Sequence, residues 1–203
     1  MWYKFFRAIV KGIFFPLFRV KVIGKENLEF EGKMVIYSNH TAAIDPFFIH
    51  CMLKRMPHYM AKIELFKNPL FAKIITKLGA FPVDRDHTDM QAVKNAFKIL
   101  NSGEILGIFP EGKRSLDGKI GEFHTGAAMI ALRAKSPMLP IYISRRMKPF
   151  CRTYFVVGKP FYVQDKLDEA VNNANTSSVE DATKAIRQEI FNLKEQFESG
   201  CLK

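Results

Sequence analysis

Short apolar runs alternating with stretches of helical period constrain this chain more than any other feature. FRVKVIG (18–24), MVIYSN (34–39), HYMAKI (58–63), GAFPVDR (79–85), EILGIFP (104–110), MLPIYI (138–143) and RTYFVVG (152–158) read as strands. Helical periods fill the intervals at 45–55, 69–78, 88–100 and 126–135, and a last helix over 179–197 follows the polar loop NNANTSS. Strands separated by helices imply an α/β fold, with a mostly parallel central sheet flanked by helices. At 203 residues, with no Ser/Gly-rich linker, the chain is expected to form a single domain. In such sheets ligands gather at the carboxyl ends of the strands, so polar clusters that follow strands mark the place to look for chemistry.

The first 18 residues stand apart from that pattern. On a helical wheel Trp2, Phe5, Phe6, Ile9, Ile13 and Leu17 share one broad face, with Lys4, Arg7 and Lys11 mostly elsewhere. This predicts an N-terminal amphipathic helix over 1–18 that binds the membrane interface and is ended or kinked by Pro16, ahead of a domain over 19–203. A helix packed on the domain's own core is the competing reading. The charges interrupt what a signal peptide would keep apolar, and the uncharged run Gly12 to Phe18 is far short of the roughly 20 residues a membrane span needs.

The formal charge of +11 calls for a polyanionic partner. Nineteen Phe against six Tyr and one Trp lean the choice toward an anionic membrane surface and acyl chains, with no nucleic acid expected. Cys51, Cys151 and Cys201 show no CxxC spacing, which argues against a disulfide framework or zinc site and for the reducing, cytosolic face of a membrane.

In SNHTAAIDPFF (38–48) a histidine precedes an aspartate by five positions. Residues five apart in a continuous helix are rotated by roughly 140°, so His40 and Asp45 meet only if TAAI turns the chain and Asp45 opens the next helix, with Pro46 in its first turn. Taken alone, the spacing reads first as a helix-capping Asp45 beside an ordinary loop histidine. If the two meet, the carboxylate accepts one ring N–H and leaves the other nitrogen as a base useful near pH 7. Ser38 and Thr41 lie close in sequence, yet no GxSxG elbow exists, and a hydroxyl on the substrate is the more natural target. FPEGKRS (109–115) breaks an apolar strand at Pro110, turns at Gly112 and presents Lys113, Arg114 and Ser115, which suits a phosphate; Glu111 could orient these cations or accept a substrate hydroxyl. Arg85 would be a third cation on the same rim. His50, His58, His87 and His124 show no metal-ligand spacing, so no metal is expected. PLFAKIITKLGAF (69–81) reads first as a core helix and second as a wall of an acyl slot or a segment dipping into the bilayer.

Four blocks together, NHTAAID, GAFPVDR, FPEGKRS and MLPIYI, resemble in kind and order those of the glycerolipid acyltransferases, in particular bacterial 1-acyl-glycerol-3-phosphate acyltransferases. The resemblance covers residues 39–143, roughly half the chain. It implies transfer of an acyl group from acyl-CoA or acyl-carrier protein to the 2-hydroxyl of lysophosphatidic acid, with no further cofactor. By position it makes His40 the general base, Asp45 its orienting partner, and Arg85, Glu111 and Arg114 the holders of the glycerol phosphate, within a phosphate-binding set completed by Gly112, Lys113 and Ser115. Lys113 stands where the family usually has Thr. The alternatives are a lipid esterase with a serine nucleophile, an acyltransferase for another lysolipid, and a non-catalytic membrane-binding protein of the same fold.

Overall fold

The computed structural model describes residues 2–84, 89–115, 117–171 and 179–202. A seven-stranded sheet is built from β1 (Val20–Ile23), β2 (Met34–Ser38), β3 (Pro57–Lys62), β4 (Ala80–Val83), β5 (Ile105–Ile108), β6 (Met138–Ile143) and β7 (Thr153–Val157). The strand order is β1-β7-β6-β2-β5-β3-β4. Every neighbouring pair is parallel except β6 with β7, so β7 and β1 run against the other five strands. The expected mostly parallel sheet is therefore present, with two reversed strands on one side. Their reversal brings the starts of β1 and β7 to the same edge as the ends of β2, β5 and β6.

Burial explains the central strands. All residues of β2, β5 and β6 are buried, as continuous apolar strings demand when both faces are covered. Pro140 is tolerated inside β6 because pairing with β7 shifts there by one residue, from Ile141↔Val157 to an isolated bridge Met138↔Phe161. One face packs on α5 (Met90–Asn101), α6 (Gly126–Ala134) and α8 (Val179–Glu198), around Val35, Tyr37, Leu106 and Ile130. Tyr37 is fully buried and its hydroxyl donates to the Ile186 carbonyl of α8 at 2.9 Å. The other face buries Met34, Ile36 and Leu139 with Phe48 and Ile49 of α3 (Asp45–Met52). An additional helix, α7 (Val163–Val171), appears where no strong apolar period announced one; the expected NNANTSS loop (172–178) lies outside the described residues.

The N-terminal segment differs from expectation in shape. α1 (Trp2–Ile9) passes through a π-helical turn, Val10–Phe14, into a last short turn α2, Phe15–Leu17. Proline lacks an N–H and its ring crowds the carbonyl four residues back. The wider turn lies immediately before Pro16, with Phe15 N–H reaching the Val10 carbonyl, so the helix continues past the proline and ends one residue later. The segment packs against the domain along one side. Val10 is buried, Phe14, Phe15 and Phe18 pack toward Phe48, and Arg7 donates to the Cys51 and Lys54 carbonyls at the end of α3. Phe5, Ile9 and Ile13, from the predicted apolar face, point outward at 67%, 40% and 59% exposure.

α3 also carries a buried histidine. His50 is pushed down from 6.5 to about 4, first by burial and then by the charges of Arg7 and His58. Its folded pKa is lowered, so the unfolded chain binds the proton first, and stability is lost as pH falls from about 6.5 toward 4. The loss is expected to be on the order of 3 kcal/mol. Urea melts should show His50→Leu flattening that part of the stability profile; an unchanged slope would assign the proton uptake to other groups.

Candidate active site

β2, β5 and β6 are adjacent and parallel, so the segments that follow them converge on one edge. His40 leaves β2, and its ring Nδ1 lies 3.0 Å from Asp45 Oδ2. Asp45 is fully buried, and the histidine side chain keeps 12% of its surface exposed. The carboxylate does more than meet the ring: Oδ2 accepts from the N–H groups of Thr41 at 2.6 Å and Ala42 at 2.7 Å, and Thr41 Oγ1 lies 3.3 Å from both oxygens. Asp45 thus folds the TAAI turn around itself. It is the first residue of α3, while Ile44, with helical φ and ψ, occupies the capping position without a side-chain bond. The two side chains meet across the turn, and the carboxylate points back into the loop, where it satisfies the amides as well as the ring.

Three further contacts fix the histidine. Its N–H donates to Glu111 Oε1 at 2.9 Å, its carbonyl accepts from the Ser115 N–H at 2.8 Å, and its ring stacks on Phe109 with centroids 4.1 Å apart. Phe109 in turn stacks on Tyr59 at 6.0 Å. This column depends on Gly107 of β5: a Cβ there would sit 2.1 Å from the Tyr59 ring. Asn39 closes the other side, donating to the Ile143 carbonyl and accepting its N–H at 3.0 and 2.8 Å, so that a side chain extends the β2–β6 ladder by one step. With Nδ1 donating to Asp45, Nε2 is the ring acceptor, and among the described residues it has no hydrogen-bond partner.

FPEGKRS divides into two parts. Glu111 is buried, its Oε1 and Oε2 accepting from the His40 and Gly121 N–H groups, and burial raises its pKa while those two bonds act in the opposite direction. It is an anchor between loops, a part that sequence position beside two cations concealed. Ser115 is similarly committed, its N–H to His40 and its hydroxyl to Asp117 at 3.0 Å. Lys113 and Arg114 are the exposed part, and neither forms an ion pair among the described residues. Gly112 turns with φ of 65°, and a Cβ there would strike the His124 ring at 2.9 Å, which puts His124 against this turn. Lys62, at the end of β3 and paired with Glu64 at 2.8 Å, adds a cation to the same edge that the sequence did not single out. Arg85 lies outside the described residues.

The serine-nucleophile alternative finds no support here. Ser38 is 1% exposed and donates to the Asn39 carbonyl, and the Thr41 hydroxyl turns to Asp45. Among the described residues no three His, Cys, Asp or Glu side chains come together as a metal site.

Residues 19–144 match the family model described as Acyltransferase. The chain is 37% identical to the 1-acyl-sn-glycerol-3-phosphate acyltransferase of Bacillus subtilis (strain 168), over 68% of this chain and 69% of that one. It is 27% identical to a chloroplastic counterpart from Arabidopsis thaliana, over 63% of this chain but 36% of that protein. In three dimensions it is similar to the crystal structure of the 1-acyl-sn-glycerophosphate (LPA) acyltransferase PlsC from Thermotoga maritima. That similarity has a TM-score of 0.75 and 25% identity, and covers 97% of this chain and 79% of that one.

Proposed function

The chain belongs to the acyltransferase family, and from that premise we propose that it moves a fatty acyl group from acyl-CoA or acyl-carrier protein to the 2-hydroxyl of 1-acyl-glycerol-3-phosphate, giving phosphatidic acid. The observation that carries this reading is the His40–Asp45 pair at 3.0 Å, with Nε2 left open beside the loop that exposes Lys113 and Arg114. His40 Nε2 takes the proton of the acceptor hydroxyl as its oxygen attacks the thioester carbonyl; the carbon–sulfur bond then breaks and the imidazolium returns the proton to the thiolate. The buried Asp45 carboxylate stabilises the imidazolium in between and holds Nδ1 as the donor. Lys113 and Arg114 supply the charge that an acceptor phosphate needs, Arg through two N–H groups at once. Glu111 serves as a positioning residue for the His40 backbone.

The protein works, in this reading, at the cytosolic face of a membrane as a peripheral or monotopic enzyme. Outward-facing Phe5, Ile9 and Ile13 support it, as does a second patch of Leu70, Phe71 and Ile74 on α4 (Pro69–Lys77), which first read as a core helix but buries only Ile75. No described helix is long and apolar enough to cross a membrane.

The test is a panel of lysolipids with labelled acyl donors and resolved products. Acceptors with a phosphate monoester should be preferred over zwitterionic and neutral ones. Arg114→Ala should raise the acceptor KM roughly tenfold to a hundredfold with little change in kcat, as expected for removing a charged hydrogen-bonding partner. An unchanged acceptor KM, or equal use of an uncharged acceptor, would refute the assignment of head group.

A further inference from the structure

The excess positive charge of this chain is not spread over it. Residues 1–25 and 144–164 together contain eleven Lys and Arg and no Asp or Glu, which accounts for the whole net charge of +11; the remainder balances. Although more than a hundred positions apart, the two segments form one surface. β1 pairs with β7, the Phe150 N–H donates to the Leu17 carbonyl at 2.7 Å, and a cleft of about 470 Å3 opens between them, lined by Lys11, Arg19, Lys21 and Arg152 with Phe15 and Pro16. That volume suits a small-molecule group. Arg145, Arg146 and Lys148 extend the surface toward the active site, where the Arg145 carbonyl is 3.5 Å from Thr41 Oγ1. All seven of these cations are exposed, and none forms an ion pair among the described residues. Crowding shows in Lys11, whose pKa is lowered by partial burial and then by Arg7, with a smaller contribution from Lys25 and an opposing one from Cys51.

Backbone conformation supplies an independent sign. Three described non-glycine residues adopt left-handed φ: Arg19 at 45°, Phe150 at 64° and Lys135 at 45°. Lys135 ends α6 and Arg19 follows the last turn α2, its N–H donating to the Pro16 carbonyl at 3.0 Å, and at both helix ends this conformation is ordinary. Phe150, on this surface, follows no helix. Glycine would adopt its angle without strain, yet the chain holds a phenylalanine there, 74% exposed. An outward aromatic at a strained position is expected where the side chain itself is used.

We infer that this acid-free surface grips anionic phospholipids of the bilayer, with the cleft of Lys11, Arg19, Lys21 and Arg152 taking a headgroup phosphate and Phe150 entering the interface beside it. The inference rests on the membrane reading given above and adds to it a second contact segment, the loop between β6 and β7, and a headgroup site. An exposed aromatic among cations, hydrogen-bonded to the end of the N-terminal helical segment, favours a lipid surface over an acidic protein. The geometry also carries a consequence for catalysis. β1 is three strands from β2, about 14 Å at ordinary strand spacing, so a bilayer held there brings its headgroup layer to the edge on which His40 stands.

The test compares the full chain with Lys21→Glu/Arg152→Glu, neither residue being part of the acyl-transfer machinery. Co-flotation is measured with vesicles of phosphatidylcholine alone and with about one third phosphatidylglycerol. The double variant should lose at least roughly tenfold in affinity for the anionic vesicles. Its turnover on substrates in neutral detergent micelles should stay at the wild-type level. Lys94→Glu/Lys98→Glu on α5 makes the same change in net charge elsewhere and should retain binding. An equal loss in that control, or undiminished binding by the first variant, overturns the inference while leaving the membrane reading intact. If the unaltered protein floats with neither vesicle, both fall. If vesicle binding is unchanged but the rate with an acyl-carrier-protein donor drops, the surface docks an acidic protein, and the inference is overturned.

Discussion

His40→Ala is expected to lower acyl transfer by about a thousandfold or more while the protein remains folded. General-base catalysis typically contributes 10²- to 10⁴-fold, and Nε2 of His40 is the ring acceptor at the strand edge. The structural cost is small by comparison. The ring is partly exposed, and its stacking on Phe109 contributes about 1 kcal/mol. The backbone bonds of residue 40 to Glu111 and Ser115 do not involve the ring and persist in the variant. Circular dichroism and melting should therefore match the parent closely as turnover collapses. Near-normal turnover in a folded variant would remove His40 from the chemistry.

Asp45 gives the second large effect, and its two substitutions should separate what the carboxylate does. Asp45→Ala removes the acceptor of two buried N–H groups, those of Thr41 and Ala42, together with the partner of the ring. Each orphaned donor costs about 1–3 kcal/mol, so both activity and stability should fall sharply, the former by roughly a thousandfold. Asp45→Asn can set its carbonyl oxygen where Oδ2 stands and keep all three bonds. Stability should then change by no more than about 1–2 kcal/mol. Activity should still drop on the order of a hundredfold, because the negative charge opposite the developing imidazolium is gone. Full activity in Asp45→Asn would show that Asp45 only shapes the loop.

The histidine loop was partly legible because its parts are local. HxxxxD, Pro46 and the apolar run before them specify a strand, a turn and a helix start within fifteen residues, and the dyad needs only that turn. The place of Glu111 is not legible for the opposite reason. Its neighbours in sequence are Lys113 and Arg114, but its partners in space are the N–H groups of His40 and Gly121, and a carboxylate beside cations gives no hint that it turns inward. The helix over 69–77 shows the same limit: its apolar residues follow a helical period, yet that period cannot say which side meets the sheet, and Leu70, Phe71 and Ile74 face out.

By itself the sequence determined the order and kind of the strands, most of the helices that connect them, and the blocks that mark the family. These depend on local periodicity and turn chemistry, which act over a few residues. Only the tertiary structure decided that β1 and β7 run against the other five strands, that Glu111 anchors the histidine loop, and that two acid-free segments close into one cationic surface. The last two are contacts between residues some 70 to 130 positions apart, and all three arise from the packing of the whole sheet, which spacing along the chain does not encode.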